Sequence, residues 1–219
     1  MCGLYSFRKS IDEARALLKF IDGHVFPPRQ YVTPGSPIAV VRVGADKQRH
    51  FDLMRWGLVP SWAKDVQGRP LTNARTETVY EKPSFKNAIR RRRCLMPADG
   101  FYEWQGDVPG KKQAYFIHRP DHSLFAFGGL WEHWMGADGS ELESAAMLTT
   151  VPGLPVAAIH DRSPVVIHPQ DFARWLDGTE EQVQDLLNAP PDDYWVMEPT
   201  TIARNANPPK PPSPQMSLI

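Results

Sequence analysis

Residues 94–104 read CLMPADGFYEW. The stretch is apolar and aromatic, and Pro97 and Gly100 break it into short pieces, which is the composition of strands. Three more stretches of the same kind follow it: QAYFIH (113–118), LFAFGGLW (124–131) and AAMLTTV (145–151). Upstream, residues 38–43 and 50–56 are β-rich and are joined by GADKQR (44–49), which reads as a hairpin. Helices are fewer. Ser10-Ile11-Asp12-Glu13 has the spacing of a capping box, with Ala14, Leu17, Leu18 and Ile21 following at helical intervals. A second helix is predicted over residues 84–93, with four arginines in its last turn, where cations suit the helix dipole. Two more are predicted around 171–176 and 180–187. The fold class is α+β: one domain, mostly antiparallel sheet, with a barrel-like core and peripheral helices.

The chain has 219 residues, enough to bury a proper core, and its 25 basic and 25 acidic side chains cancel. With a pI near 7.1, no global field holds it on a polyanion or a membrane, so a nucleic-acid site must be a local patch. Two cysteines, Cys2 and Cys94, and the lack of a basic-then-apolar leader point to a reducing, cytoplasmic setting. Apolar runs fall short of a membrane span. The sequence ends in PPKPPSPQMSLI (208–219), with five prolines in seven residues, and is expected to be extended or disordered there.

Cys2 follows only Met1. Removal of that methionine leaves a thiol and a free α-amine on one residue, with ordinary pKa values of about 8.5 and roughly 7.7–8.0. Against an aldehyde, the amine forms an imine and the thiol closes onto the same carbon, giving a five-membered thiazolidine. Against an amide, the same residue serves as an N-terminal nucleophile. The plainer alternative is a small buried residue beside a first strand.

Four other stretches combine polar groups with special backbone residues. LTNARTET (71–78) places Asn73, Arg75 and Glu77 at alternating positions, one face of a strand. Glu103 stands among Phe101, Tyr102 and Trp104, where apolar surroundings raise a carboxyl pKa towards acid–base use. His160 and Asp161 end an apolar run just before Arg162 and a Ser-Pro turn. Trp62 closes a loop whose tryptophans serve either as stacking platforms or as lids on the core. Residues 81–93 carry six basic side chains against one acidic, either a phosphate site or a solvated basic face. His118 and His122 have metal-like spacing, but Pro120 breaks the helix that would align them.

The motifs MCG (1–3), WGLVPSW (56–62), NARTET (73–78), KPSFKNAIRRRRCLMPADGFYEW (82–104) and IHDRSPVV (159–166), in this order and spacing, resemble the SOS response-associated peptidase family, the abasic-site processing proteins. The resemblance implies a domain over residues 2–200 with a DNA-binding cleft, followed by a proline-rich tail over 201–219. It implies that Cys2 crosslinks to the aldehyde of an abasic site in single-stranded DNA and shields the lesion, with some lyase and self-reversal activity. Peptidase activity would be the exposure of Cys2. By the same resemblance Glu103 is the acid–base group, Asn73 holds the ring or opened sugar, and His160 assists protonation. Arg75, Glu77, Trp62, Pro34 and Arg162 would contact the DNA. No metal and no cofactor are implied, and a monomer in the cytoplasm, on the nucleoid when bound to DNA, is expected. Two positions depart from the family pattern: Leu4 stands where Arg is usual, and Tyr31 where Asn is usual. The rival readings are an N-terminal-nucleophile glutamine amidotransferase, whose oxyanion-hole stretch is missing here, and a non-covalent single-stranded DNA binder, which would not need Cys2.

Overall fold

A computed structural model describes residues 2–68, 70–108 and 111–202. Thirteen strands occur among them: Tyr5–Phe7 (β1), Arg29–Val32 (β2), Pro37–Val43 (β3), Arg49–Trp56 (β4), Asn73–Arg75 (β5), Arg93–Ala98 (β6), Gly100–Gln105 (β7), Gln113–His118 (β8), Phe125–Met135 (β9), Glu141–Thr150 (β10), Ser163–Pro164 (β11), Val166–Ile167 (β12) and Val196–Thr200 (β13). The helices are Ile11–Leu18 (α1), Lys86–Arg91 (α2), Phe172–Asp177 (α3) and Glu180–Val183 (α4), the last running on as a 3₁₀ turn over Gln184–Leu187.

β10 closes the larger sheet on itself. It pairs antiparallel with β9 from Glu141 to Met147 and parallel with β4 at Ser144 and Ala145, while β4, β3, β6 and β9 follow one another as neighbours. The result is a five-stranded barrel, which removes the open edges that would otherwise need covering. The second sheet has the order β13-β8-β7-β1-β2.

The stretch at 94–104 carries the chain from one sheet to the other. Its first half is β6, in the barrel; its second half is β7, in the smaller sheet; Asp99 stands at the crossing. The buried Asp99 carboxylate accepts from Ser6 Oγ and from Arg8 Nε, both at 2.6 Å, tying the crossing to β1. The two sheets then lock through aromatic edges: Phe101 meets Trp195 at 5.2 Å and Phe127 at 6.1 Å, and Tyr5 meets Trp56 at 5.2 Å. A side chain at Gly100 would run into the Phe116 ring and press on the Ile117 carbonyl. Gly100→Ala is therefore expected to destabilise the fold by about 1–3 kcal/mol. Urea unfolding should show a lower midpoint with an unchanged slope.

The hairpin over 38–56 forms as read, with Ile38 opposite Met54 and Arg42 opposite His50. The first helix has its full capping box at Ser10 and Glu13, and it stops where Lys19 turns left-handed at φ 57°, before Ile21. Two expectations are corrected. The second helix ends at Arg91, not 93, because Arg93 begins β6 as a buried side chain that donates to the carbonyls of Ile89, Trp175 and Gly178. NARTET is strand only as far as Arg75, since Thr76–Thr78 coil into a 3₁₀ turn that takes Glu77 off the strand face. The expected proline-rich tail lies outside the described residues, except for its first two, Thr201 and Ile202.

Candidate active site

Cys2 lies just before β1 and is buried, at 1% exposure. Its Sγ is 3.8 Å from the Leu4 carbonyl oxygen, and that same oxygen accepts from the Tyr102 N–H at 2.9 Å, so the segment is pinned against β7 beside Glu103. Its own carbonyl accepts from Asn73 Nδ2 at 3.0 Å. Burial, and then the charge of Glu103, push the Cys2 thiol well above its ordinary pKa. The thiol is therefore protonated at neutral pH, and using it as a nucleophile requires a base.

Asn73 owes its position to β5, which runs parallel to β10 with Asn73 opposite Met147 and Arg75 opposite Thr149. The preceding Thr72 carbonyl accepts from Trp56 Nε1 and from Met147 N–H, both at 3.0 Å. With Nδ2 shared between Cys2 and Thr72 Oγ1, the buried Oδ1 of Asn73 has no hydrogen-bond partner among the described residues. Glu103 Oε1 is in the same condition. Two buried acceptors beside one cysteine fit a site whose remaining partner is a ligand, because such groups are costly to leave unmet.

Glu103 projects from β7 at 2% exposure. Burial, with a contribution from the charge of Asp161, raises its pKa to about 7. Its Oε2 stands 3.5 Å from His160 Nε2. His160 is in the loop between the 3₁₀ turn Val156–Ala158 and β11; its Nδ1 accepts from the Arg162 N–H at 2.9 Å and lies 3.1 Å from Asp161 Oδ1. Burial holds the His160 pKa below its ordinary value. At pH 7 the pair is thus a neutral imidazole beside a carboxyl poised between its two states, the condition in which one residue both gives and takes a proton.

Of the expected residues, Cys2, Asn73, Glu103 and His160 come together. Arg162 and Glu77 meet each other instead: Arg162 Nη1 and Nη2 donate to Glu77 Oε1 and Oε2 at 2.5 and 2.9 Å, and Nη2 also donates to the Thr149 carbonyl at 2.6 Å. Arg75, Pro34 and Trp62 stand exposed, Trp62 at 64%. The basic run over 81–93 is divided: Arg90 pairs with Glu180, Arg92 with Glu132, and Arg93 is buried, leaving Lys82, Lys86 and Arg91 exposed. His118 and His122 stack at 4.4 Å, nearly parallel. Leu4 and Tyr31, the two departures, share one apolar cluster with Tyr102 and Phe116. Sequence reasoning passed over Leu4, Thr72 and Thr149 as site residues. Their contribution is made largely by backbone carbonyls, which leave no mark in a sequence.

The family model for the SOS response associated peptidase (SRAP) matches residues 1–206. The chain belongs to this family. It is 34% identical to the abasic site processing protein YoqW of Bacillus subtilis (strain 168) over 223 residues, covering 99% of this chain and 98% of the relative. It is 29% identical to the abasic site processing protein HMCES of Rattus norvegicus over 211 residues, covering 79% of this chain and 60% of the relative. A solved structure from Bacteroides thetaiotaomicron superposes with a TM-score of 0.81 at 22% identity, covering 91% of this chain and 92% of the other, and so shares its fold.

A raised carboxyl pKa in an SRAP domain has a consequence for stability. The ionised form of Glu103 is disfavoured in the fold, so the penalty is absent well below the unfolded pKa of about 4.5, grows up to the folded value of about 7, and is constant above it. Glu103→Gln is expected to make the protein more stable at pH 8, on the order of 1–3 kcal/mol, and to change little at pH 4. Thermal unfolding at the two pH values reads the difference.

Proposed function

We propose that this SRAP protein captures abasic sites in single-stranded DNA through a thiazolidine on Cys2, once Met1 has been removed. The observation that carries the reading is the buried Glu103, with a pKa of about 7, set between the Cys2 thiol and the His160 imidazole. The relatives named for abasic-site processing support it.

The Cys2 amine adds to the aldehyde carbon of the ring-opened sugar, forming a carbinolamine. Protonated Glu103 gives its proton to the departing hydroxyl, water leaves, and an iminium remains. Ionised Glu103 then takes the thiol proton as sulfur bonds to the iminium carbon, closing the ring. Aldehyde and cysteine thus yield thiazolidine and one water. Asn73 orients Cys2 through its carbonyl and offers Oδ1 to the ring N–H or to a sugar hydroxyl. The same iminium, left open, is the entry to β-elimination and strand cleavage.

The exposed Trp62 and the exposed cations Arg75, Lys82, Lys86 and Arg91 are the side chains open to contact with the strand. Stacking on an indole requires unpaired bases, whereas phosphate contacts do not. An abasic site in a single strand should therefore crosslink at least about 10-fold faster than the same site paired in a duplex, since each stacked base is worth about 1–3 kcal/mol. Equal rates in a gel time course would contradict the single-strand preference.

A further inference from the structure

Arg162 is buried at 8% exposure; Nη1 and Nη2 of its guanidinium are taken by Glu77 and the Thr149 carbonyl, while its buried Nε has no hydrogen-bond partner among the described residues. These contacts join three segments of the site: the 3₁₀ turn directly after β5, which carries Asn73; the end of β10; and the loop that carries His160. The backbone N–H of the clamped residue is what Nδ1 of His160 accepts, at 2.9 Å. The same Nδ1 lies 3.2 Å from the Arg162 carbonyl oxygen and 3.1 Å from Asp161 Oδ1, so the backbone at 162 holds this side of the ring whichever nitrogen carries the proton, and leaves Nε2 3.5 Å from Glu103 Oε2.

We propose that the Glu77–Arg162 pair is a positioning device: it fixes the backbone at 162 so that the His160 ring is held with Nε2 turned to the Glu103 carboxylate. The proposal rests on the reading of Glu103 and His160 as the acid–base pair. The charged groups around the imidazole are the N-terminal amine, Glu103 from β7, Asp161 and Arg162 from its own loop, and Lys112 from just before β8. Of these, Asp161 favours a proton on the ring, and the amine and Lys112 oppose it. An imidazole released from the backbone at 162 is free to rotate, and its Nε2 loses its hold on Glu103. A carboxylate that loses a donor is harder to ionise.

An arginine in a DNA-processing protein has an obvious competing role, a phosphate contact. Glu77→Gln separates the two, and because Glu77 is half-exposed the variant should fold. Under the positioning role it slows crosslinking about 10-fold at pH 7 and moves the acid limb of the rate profile up by about one unit. Its affinity for an undamaged oligonucleotide stays the same. Arg162→Lys, which keeps the charge but makes one bond where arginine makes two, shows the same shift in weaker form. The ¹⁵N signals of His160 in the free protein, assigned by their loss in His160→Gln, shift and broaden in Glu77→Gln as the ring leaves its single orientation. This readout needs no DNA, so it stands even if Cys2 forms no thiazolidine. Unchanged ¹⁵N signals and an unmoved pH profile overturn the proposal. So does tighter, more salt-dependent oligonucleotide binding by Glu77→Gln, which is the behaviour of a phosphate-binding Arg162 freed from its partner.

Discussion

Cys2→Ala is expected to abolish the denaturation-resistant adduct with a single-stranded oligonucleotide carrying one abasic site. The variant keeps an N-terminal amine once Met1 is gone, so it still forms an imine. It lacks the sulfur that closes the ring, and the imine is left to hydrolyse or to eliminate. The expected pattern on a denaturing gel is loss of the stable shifted band, a band that reappears on borohydride reduction, and slow strand cleavage in place of shielding. The loss should be complete, because trapping depends on an intramolecular step whose effective molarity reaches roughly 10⁵–10⁸ M. A Cys2→Ala protein that keeps its stable adduct without reductant would show that another nucleophile is at work. Cys94 cannot stand in: it is buried in the barrel wall, packed at Gly129, and far along the strand from the crossing to β7.

Glu103→Gln is expected to slow crosslinking by about 10²–10⁴-fold at neutral pH, the usual worth of a placed general acid–base group. The amide keeps the size of the side chain but neither gives a proton to the departing hydroxyl nor takes one from the thiol. Because burial holds that thiol protonated, the second proton transfer has no easy substitute in the site. The pH profile supports the assignment independently. With Glu103 intact the rate bends near its pKa of about 7, where both forms are present; the variant profile loses that bend and follows the amine and thiol alone. Loss of activity is paired with the gain in stability at pH 8 described above. An inactive Glu103→Gln protein that is also less stable at pH 8 would place the residue in the architecture and not in the chemistry.

Much of this was legible in the sequence where periodicity or chemistry speaks locally. The capping box at Ser10, the hairpin over 38–56 and the strand character of 94–104 follow from spacing and composition, and each forms. Cys2, Glu103 and His160 stood out as a cysteine after the initiator, a glutamate among aromatics and a histidine before a Ser-Pro turn, and Asn73 through its alternation with Arg75 and Glu77, while the role of each came from the family resemblance. What the sequence hid is tertiary. Nothing in RRRR says that the fourth arginine is buried and bonded to four carbonyls, since the carbonyls come from α3 and its end as well as from α2. Nothing in NARTET tells that its alternation stops at Arg75, because the 3₁₀ turn is held from outside by Arg162, which lies 85 residues away from Glu77. Barrel closure is likewise hidden, because it depends on β10 finding a parallel neighbour in β4 as well as an antiparallel one in β9.

The most direct measurement uses the fact that the chain has two cysteines. The purified protein is mixed with the abasic oligonucleotide, denatured, treated with iodoacetamide, and weighed intact. A thiazolidine consumes the Cys2 sulfur, so the account predicts an adduct lacking Met1, lighter than its two parts by one water, and alkylated once, at Cys94. Free protein in the same tube should be alkylated twice. An adduct alkylated at both cysteines, or no adduct from protein that has already lost Met1, would contradict it.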